Sequence, residues 1–185
     1  MGRIKKLIEA YATYMKIPWR QDVAPSQRII FCIYDAEEEL RLRRHLGEFD
    51  LATRAAKHVW HPFDLTDTFA QWMGRSRYVE KYYQNPQFLD NILNYYEEAL
   101  VQKFIDEVQQ IPDMANAVVS LMGVGSLFGL LKVKDVVEKC VPHVPGRLVV
   151  FFPGSFEAKS NNYRLFDSYD GWNYLAVPIT AEKTF

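Results

Sequence analysis

Apolar positions along this chain follow two rhythms, one helical and one of strands. Near the start, Ile4, Leu7, Ile8, Tyr11 and Met15 recur every three to four residues, which predicts an amphipathic helix over residues 3–16 ended by Pro18. Pro18 to Gln27 reads as a loop. Arg28 to Tyr34 is then nearly all apolar and stops abruptly at Asp35, the pattern of a parallel strand buried on both faces. Asp35, with Glu38 three residues on, resembles a capping box, so a helix should begin there. Lys57 to Phe63 reads as a second strand. Asp64 or Thr66 then caps a short helix through Phe69 and Trp72 that stops near Gly74.

Residues 75–112 carry helical spacing throughout. Asn85-Pro86 supplies a cap and a first-turn proline, and Phe88, Leu89, Ile92, Leu93, Tyr96, Leu100, Phe104 and Val108 hold that spacing over roughly six to seven turns. Met114 to Gly154 is the stretch around which the chain is organised. An apolar run to Met122 is followed by a glycine-bearing turn, a helix from Val133 to Cys140, and a second apolar run ending in Phe151-Phe-Pro-Gly. That is a strand–helix–strand crossover. Pro153-Gly154 should end the second strand sharply and leave Ser155 to Asn162 as an exposed loop. Tyr163–Phe166 and Tyr174–Ile179 read as two short strands, forming either an antiparallel hairpin or an addition to the edge of the main sheet, with Asp167–Gly171 as the turn between them. The expected fold is therefore a single α/β domain over residues 1–185, with a mostly parallel, Rossmann-like sheet flanked by helices. It has an N-terminal helix and loop (1–27), a helical insertion (75–112) between strands two and three, and a C-terminal pair of short strands.

Composition narrows the function classes. At 185 residues, 49% hydrophobic and 24% charged, the chain can bury a sizeable core without staples. The aromatic share of 15% favours thick cores and sticky surfaces. With 22 basic and 23 acidic residues the net charge is -1, which lacks the basic footprint of a nucleic-acid binder; Arg41, Arg43 and Arg44 form only a local patch. Cys32 and Cys140 have neither metal spacing nor a disulfide-rich setting, so they read as free thiols in a reducing, cytoplasmic compartment. The first residues lack a signal-peptide core, and Lys6 stands where a myristoylation signal needs Ser or Thr. The uncharged run Met114–Leu131 holds Asn116, two serines and three glycines, and reads as buried core, with no membrane contact expected.

Candidate chemistry is sparse. Glu37, Glu38 and Glu39 point in different directions around a helix, so they suit its dipole and the pairs Glu37–Arg41 and Glu39–Arg43 better than a metal ion. His58 and His61 fall on opposite faces of a strand, which disfavours a shared metal. Asp167 and Asp170 are explained by a turn. Gly123, Gly125 and Ser126 are the weak cofactor-site candidates, because glycines between strand and helix can let amides cradle a phosphate. The spacing fits neither a P-loop, which needs Gly-Lys-Ser/Thr, nor the dinucleotide fingerprint, which needs Gly at Phe128. The loops after Tyr34, Leu121 and Phe152 lie where open α/β sheets place sites. Tyr82, Tyr83, Tyr95 and Tyr96 on the helical insertion, with Phe156, Tyr163, Tyr169 and Trp172 near the C-terminal strands, are the candidate partner-docking residues. The reading leads to no catalytic residue, cofactor or metal.

Several of these segments together resemble the BrxB family of bacterial BREX phage-defence systems. They are the strand and charged helix from Ile30 to Leu46, Phe63-Asp-Leu, Gly123-Val-Gly-Ser-Leu-Phe, Val149-Val-Phe-Phe-Pro-Gly, Arg164-Leu-Phe-Asp and Asn173-Tyr-Leu-Ala-Val-Pro-Ile. The resemblance runs from about Arg28 to Ile179 and departs at Gly129-Leu130, where a Pro-Phe-like pair is expected. It implies a non-enzymatic adaptor subunit that binds a PglZ-type protein, with a BrxC-type ATPase and a PglX-type DNA methyltransferase possible in a larger assembly that methylates host DNA and restricts phage. The alternative is a nucleotide-binding or hydrolytic protein using the loop 123–129.

Overall fold

A computed structural model describes residues 2–168 and 172–182. Helix α1 (Arg3–Met15) leads into a loop and a short 3-10 turn, then strand β1 (Ile29–Tyr34). Next come α2 (Glu39–Arg44), α3 (Leu46–Ala55) and β2 (Val59–Asp64). The insertion holds α4 (Thr68–Met73), α5 (Val79–Gln84) and α6 (Leu93–Val108), and β3 (Ala117–Met122), α7 (Val133–Cys140) and β4 (Arg147–Glu157) follow. The described chain finishes with β5 (Asn162–Leu165), β6 (Trp172–Asn173) and β7 (Val177–Ile179).

The sheet runs β2-β3-β4-β1-β7, each neighbouring pair parallel, and β5 and β6 add antiparallel pairs to the end of β4. It is a mixed, open sheet between two helical layers. Alternation along β1 shows why it sits at the centre. Ile29, Phe31 and Ile33 face one core with Tyr96, Leu100, Phe104 and Val108 of α6 and Val133, Val136 and Val137 of α7. Ile30, Cys32 and Tyr34 face the other, with Ile4, Leu7, Tyr11 and Met15 of α1, Leu42 and Phe49. All six β1 residues are buried, so an apolar run without alternation is what the position demands.

The structure corrects the expectations in four places. Helix α3 was not anticipated. It ends with Lys57 at φ +67°, where the Lys57 and His58 amides donate to the Arg54 and Thr53 carbonyls; this left-handed stop places Lys57 outside the strand. The long helix expected from Pro86 is a 3-10 stretch over Pro86–Asn91, a break at Ile92, and then α6. Glu37 does not pair with Arg41; Glu38 does, and Arg43 pairs with Glu39 as expected. Pro153-Gly154 does not end β4. The strand hands over there from Tyr34 of β1, which aligns with Pro153, to Leu165 of β5, which aligns with Gly154. Gly154 is required by that handover, because a Cβ would sit 2.0 Å from the Arg164 carbonyl oxygen. Ser155 to Glu157 are thereby strand rather than loop, and β7 joins the main sheet edge beside β1.

Candidate functional site

The ends of β1, β2 and β3, together with Pro153 of β4, meet at one sheet edge around a cleft of about 370 Å³. Ala36, Glu39, Arg43, Thr66, Gly123, Gly125, Ser126 and Phe166 are among its lining residues. Arg43 is its hub: its Nε donates to Glu39 at 2.7 Å, one terminal nitrogen to Asp64 at 3.1 Å and the other to the Thr66 hydroxyl at 2.7 Å. Asp64 in turn accepts from the Thr66 amide at 2.9 Å and from its hydroxyl at 2.5 Å. Burial works to raise the Asp64 carboxyl, but the Thr66 donors and Arg43 outweigh it and hold the group below its usual range. The Tyr34 hydroxyl donates to Glu39; burial first, and then that carboxylate, push the phenol far up.

The glycine loop is built into this arrangement. Gly123 sits at φ +69°, where a Cβ would fall 2.3 Å from the Thr66 hydroxyl oxygen. A Cβ on Gly125 would fall 2.6 Å from the Phe166 ring. The Ser126 hydroxyl meets the Leu65 carbonyl at 3.1 Å and the Gly123 carbonyl at 2.8 Å. Residues Val124–Leu127 form a 3-10 turn. Gly123, Gly125 and Ser126 thus all line the cleft, and each has a packing or hydrogen-bonding duty inside the chain. The cleft works as a latch joining the β1, β2 and β3 loops.

Other sequence candidates separate. The His58 ring stacks on Trp19 with centroids 3.7 Å apart, Trp19 lies under the Arg147 guanidinium, and His58 Nδ1 is 2.6 Å from the Asn116 side-chain oxygen. His61 takes no part in that stack, and among the described residues no group of three or more His, Cys, Asp or Glu could hold a metal ion. Cys32 and Cys140 are free and buried, and burial pushes both thiols up. Both belong to the core. Asp170 lies outside the described residues.

The candidate docking residues divide by exposure. Tyr83 and Tyr95 are 63% and 58% exposed, and Tyr82 is half-buried. Tyr96 and Tyr163 cannot present rings to a partner. Tyr96 is 1% exposed, edge-on to Phe69, with its hydroxyl 2.8 Å from Thr68. Thr68 already donates to the Leu65 carbonyl, so Tyr96 is the donor to Thr68. Tyr163 is fully buried against Phe31 and donates to the Ala176 carbonyl. Phe156 and Trp172 are half-buried, packed on Tyr163 and Phe152. Tyr169 lies outside the described residues.

Sequence reasoning passed over Tyr78 and Phe88, 54% and 38% exposed, and their basic neighbours. Arg77 lies over the Tyr78 ring at 5.2 Å and Lys81 over Phe88 at 5.3 Å. The signal was present in Arg75-Ser-Arg-Tyr-Val-Glu-Lys-Tyr-Tyr, where bases and aromatics interleave. A groove of about 490 Å³ between α4 and α6, with Trp72, Arg75, Leu100 and Lys103 among its lining residues, adjoins this segment. Compared with family models, with curated proteins and with solved structures, the chain has no match.

Proposed function

We propose that this chain is a binding module, the adaptor subunit of a phage-defence assembly, which docks a PglZ-type partner through the segment 75–96. The observation that carries the reading is the exposure of Tyr78, Tyr83, Phe88 and Tyr95 together on one helical segment. Rings left in water bury little of their area in the monomer, whereas Tyr and Arg are the side chains that anchor protein interfaces. The resemblance of residues 28–179 to BrxB supplies the class of partner. A Rossmann-like core, a cytoplasmic setting and a supporting role in host DNA methylation and phage restriction belong to the same reading. No helix among the described residues is long and apolar enough to cross a membrane.

Nucleotide binding by the loop 123–129 is the weaker reading, because the Ser126 hydroxyl meets the Leu65 and Gly123 carbonyls and the Ser126 and Phe128 amides donate to the Gly123 and Gly125 carbonyls.

Co-expression with a PglZ-type protein, followed by size-exclusion chromatography, tests the proposal. Co-elution is expected with the wild-type chain, and Tyr83→Ala with Tyr95→Ala should weaken the complex by at least about tenfold, as loss of interface anchors does. Separate elution of the wild-type chain from PglZ-type, BrxC-type and PglX-type proteins alike would remove the adaptor reading.

A further inference from the structure

The residues that follow α4 carry a feature that adaptor function alone does not require. Arg75, Arg77 and Lys81 stand in a stretch, 75–84, whose single acid is Glu80. Among the described residues none of these three cations is ion-paired. Arg41, Arg43 and Arg54 differ, each reaching a carboxylate three or four residues earlier in the chain. Two of the unpaired cations rest on aromatic faces instead, Arg77 on Tyr78 and Lys81 on Phe88. A cation on a ring is held in place while its charge stays available, and a guanidinium is weakly hydrated and offers a planar fork to a carboxylate. Arg75 also lines the α4–α6 groove, whose apolar lining comes from Trp72, Tyr96, Ala99 and Leu100.

We infer that this surface takes an acidic segment of the partner protein. An apolar side chain enters the groove over Trp72 and Leu100, and carboxylates beside it meet Arg75, Arg77 and Lys81. The inference rests on the adaptor reading and adds the chemistry of what is docked. A protein segment fits better than a nucleic-acid strand. Asp106 and Glu107 line the same groove and Glu80 stands among the three cations, so a continuous run of phosphates would meet repulsion that spaced carboxylates avoid. A net charge of -1 also supplies no wider field to hold a polyanion.

Surface plasmon resonance against the PglZ-type partner tests this with the full chain. Arg75→Glu, Arg77→Glu and Lys81→Glu combined should slow association by about tenfold or more. Raising salt from about 50 to about 200 mM should slow the wild-type chain severalfold in the same direction. A thermal melt of the triple variant matching wild type shows that folding is untouched. Wild-type binding that is insensitive to both salt and charge reversal would overturn the acidic-segment inference and leave the adaptor reading standing. Absence of wild-type binding at either salt concentration would overturn both. A labelled oligothymidylate that binds the wild-type chain more tightly than the partner does, and is lost in the triple variant, would assign the surface to nucleic acid and overturn the inference.

Discussion

Arg43 ties helix α2, which follows β1, to the end of β2 and the loop after it, and its removal has a consequence that depends on pH. The Asp64 carboxyl is held low in the folded chain, so its stabilising contribution is fully present above the unfolded value of about 4 and is lost as pH falls through the folded value. Arg43→Gln should therefore destabilise the chain by roughly 1–2 kcal/mol near pH 7, after allowance for the partial exposure of both partners. The gap to wild type should narrow near pH 3. Urea unfolding at both pH values checks this, and an equal gap at each would show that the latch is not electrostatic. Much of the latch lay beyond sequence reasoning. Gly123 could be picked out as a turn glycine, but the need for a missing Cβ comes from Thr66, brought across from the β2 loop. Arg43 reads as one of three surface arginines until Asp64 and Thr66, 21 and 23 residues away, are brought beside it.

At the level of elements, α6 shows how a helical phase decides between core and surface. Tyr96, Leu100, Phe104 and Val108 form a stripe with a spacing of four and are all buried, while Tyr95, one residue earlier, turns outward. That stripe was legible in the sequence, and placing Tyr96 beside Tyr95 on a docking face contradicts it. Tyr96→Phe removes the donor to Thr68 and should cost about 1 kcal/mol of stability while leaving the ring in place at the floor of the α4–α6 groove. Tyr95→Ala should weaken partner binding with stability unchanged. Chemical denaturation and a binding titration on the two variants separate these roles, and a Tyr96→Phe variant that lost binding at unchanged stability would contradict the assignment. Helices α1 and α7 and strand β1 were readable because each is amphipathic or wholly apolar between clear stops. Helix α3 was hidden: it starts at Leu46 straight after α2, with no side-chain cap to mark it. The run-on of β4 past Pro153 was hidden as well. A Pro-Gly pair reads locally as a stop, and only the approach of Arg164 shows why glycine is there.

At the scale of the whole molecule, the α/β class followed from the alternation of helical and apolar segments, and the mixed sheet did not. Four strand pairs are parallel and two antiparallel, β4 with β5 and β5 with β6, and the first of these uses the part of β4 beyond the stop that the sequence marks. The fold sets two surfaces apart. One is the sheet-edge cleft, where charges and glycines are matched within the chain. The other is the segment 75–96, where aromatic rings and cations face water without partners of their own kind. That asymmetry is the basis for placing function on the second surface. Amide hydrogen exchange, measured on the chain alone and with the PglZ-type partner bound, tests this most directly. The account predicts slowed exchange concentrated in residues 75–96; protection of residues 123–127 at the cleft, with 75–96 unchanged, would contradict it.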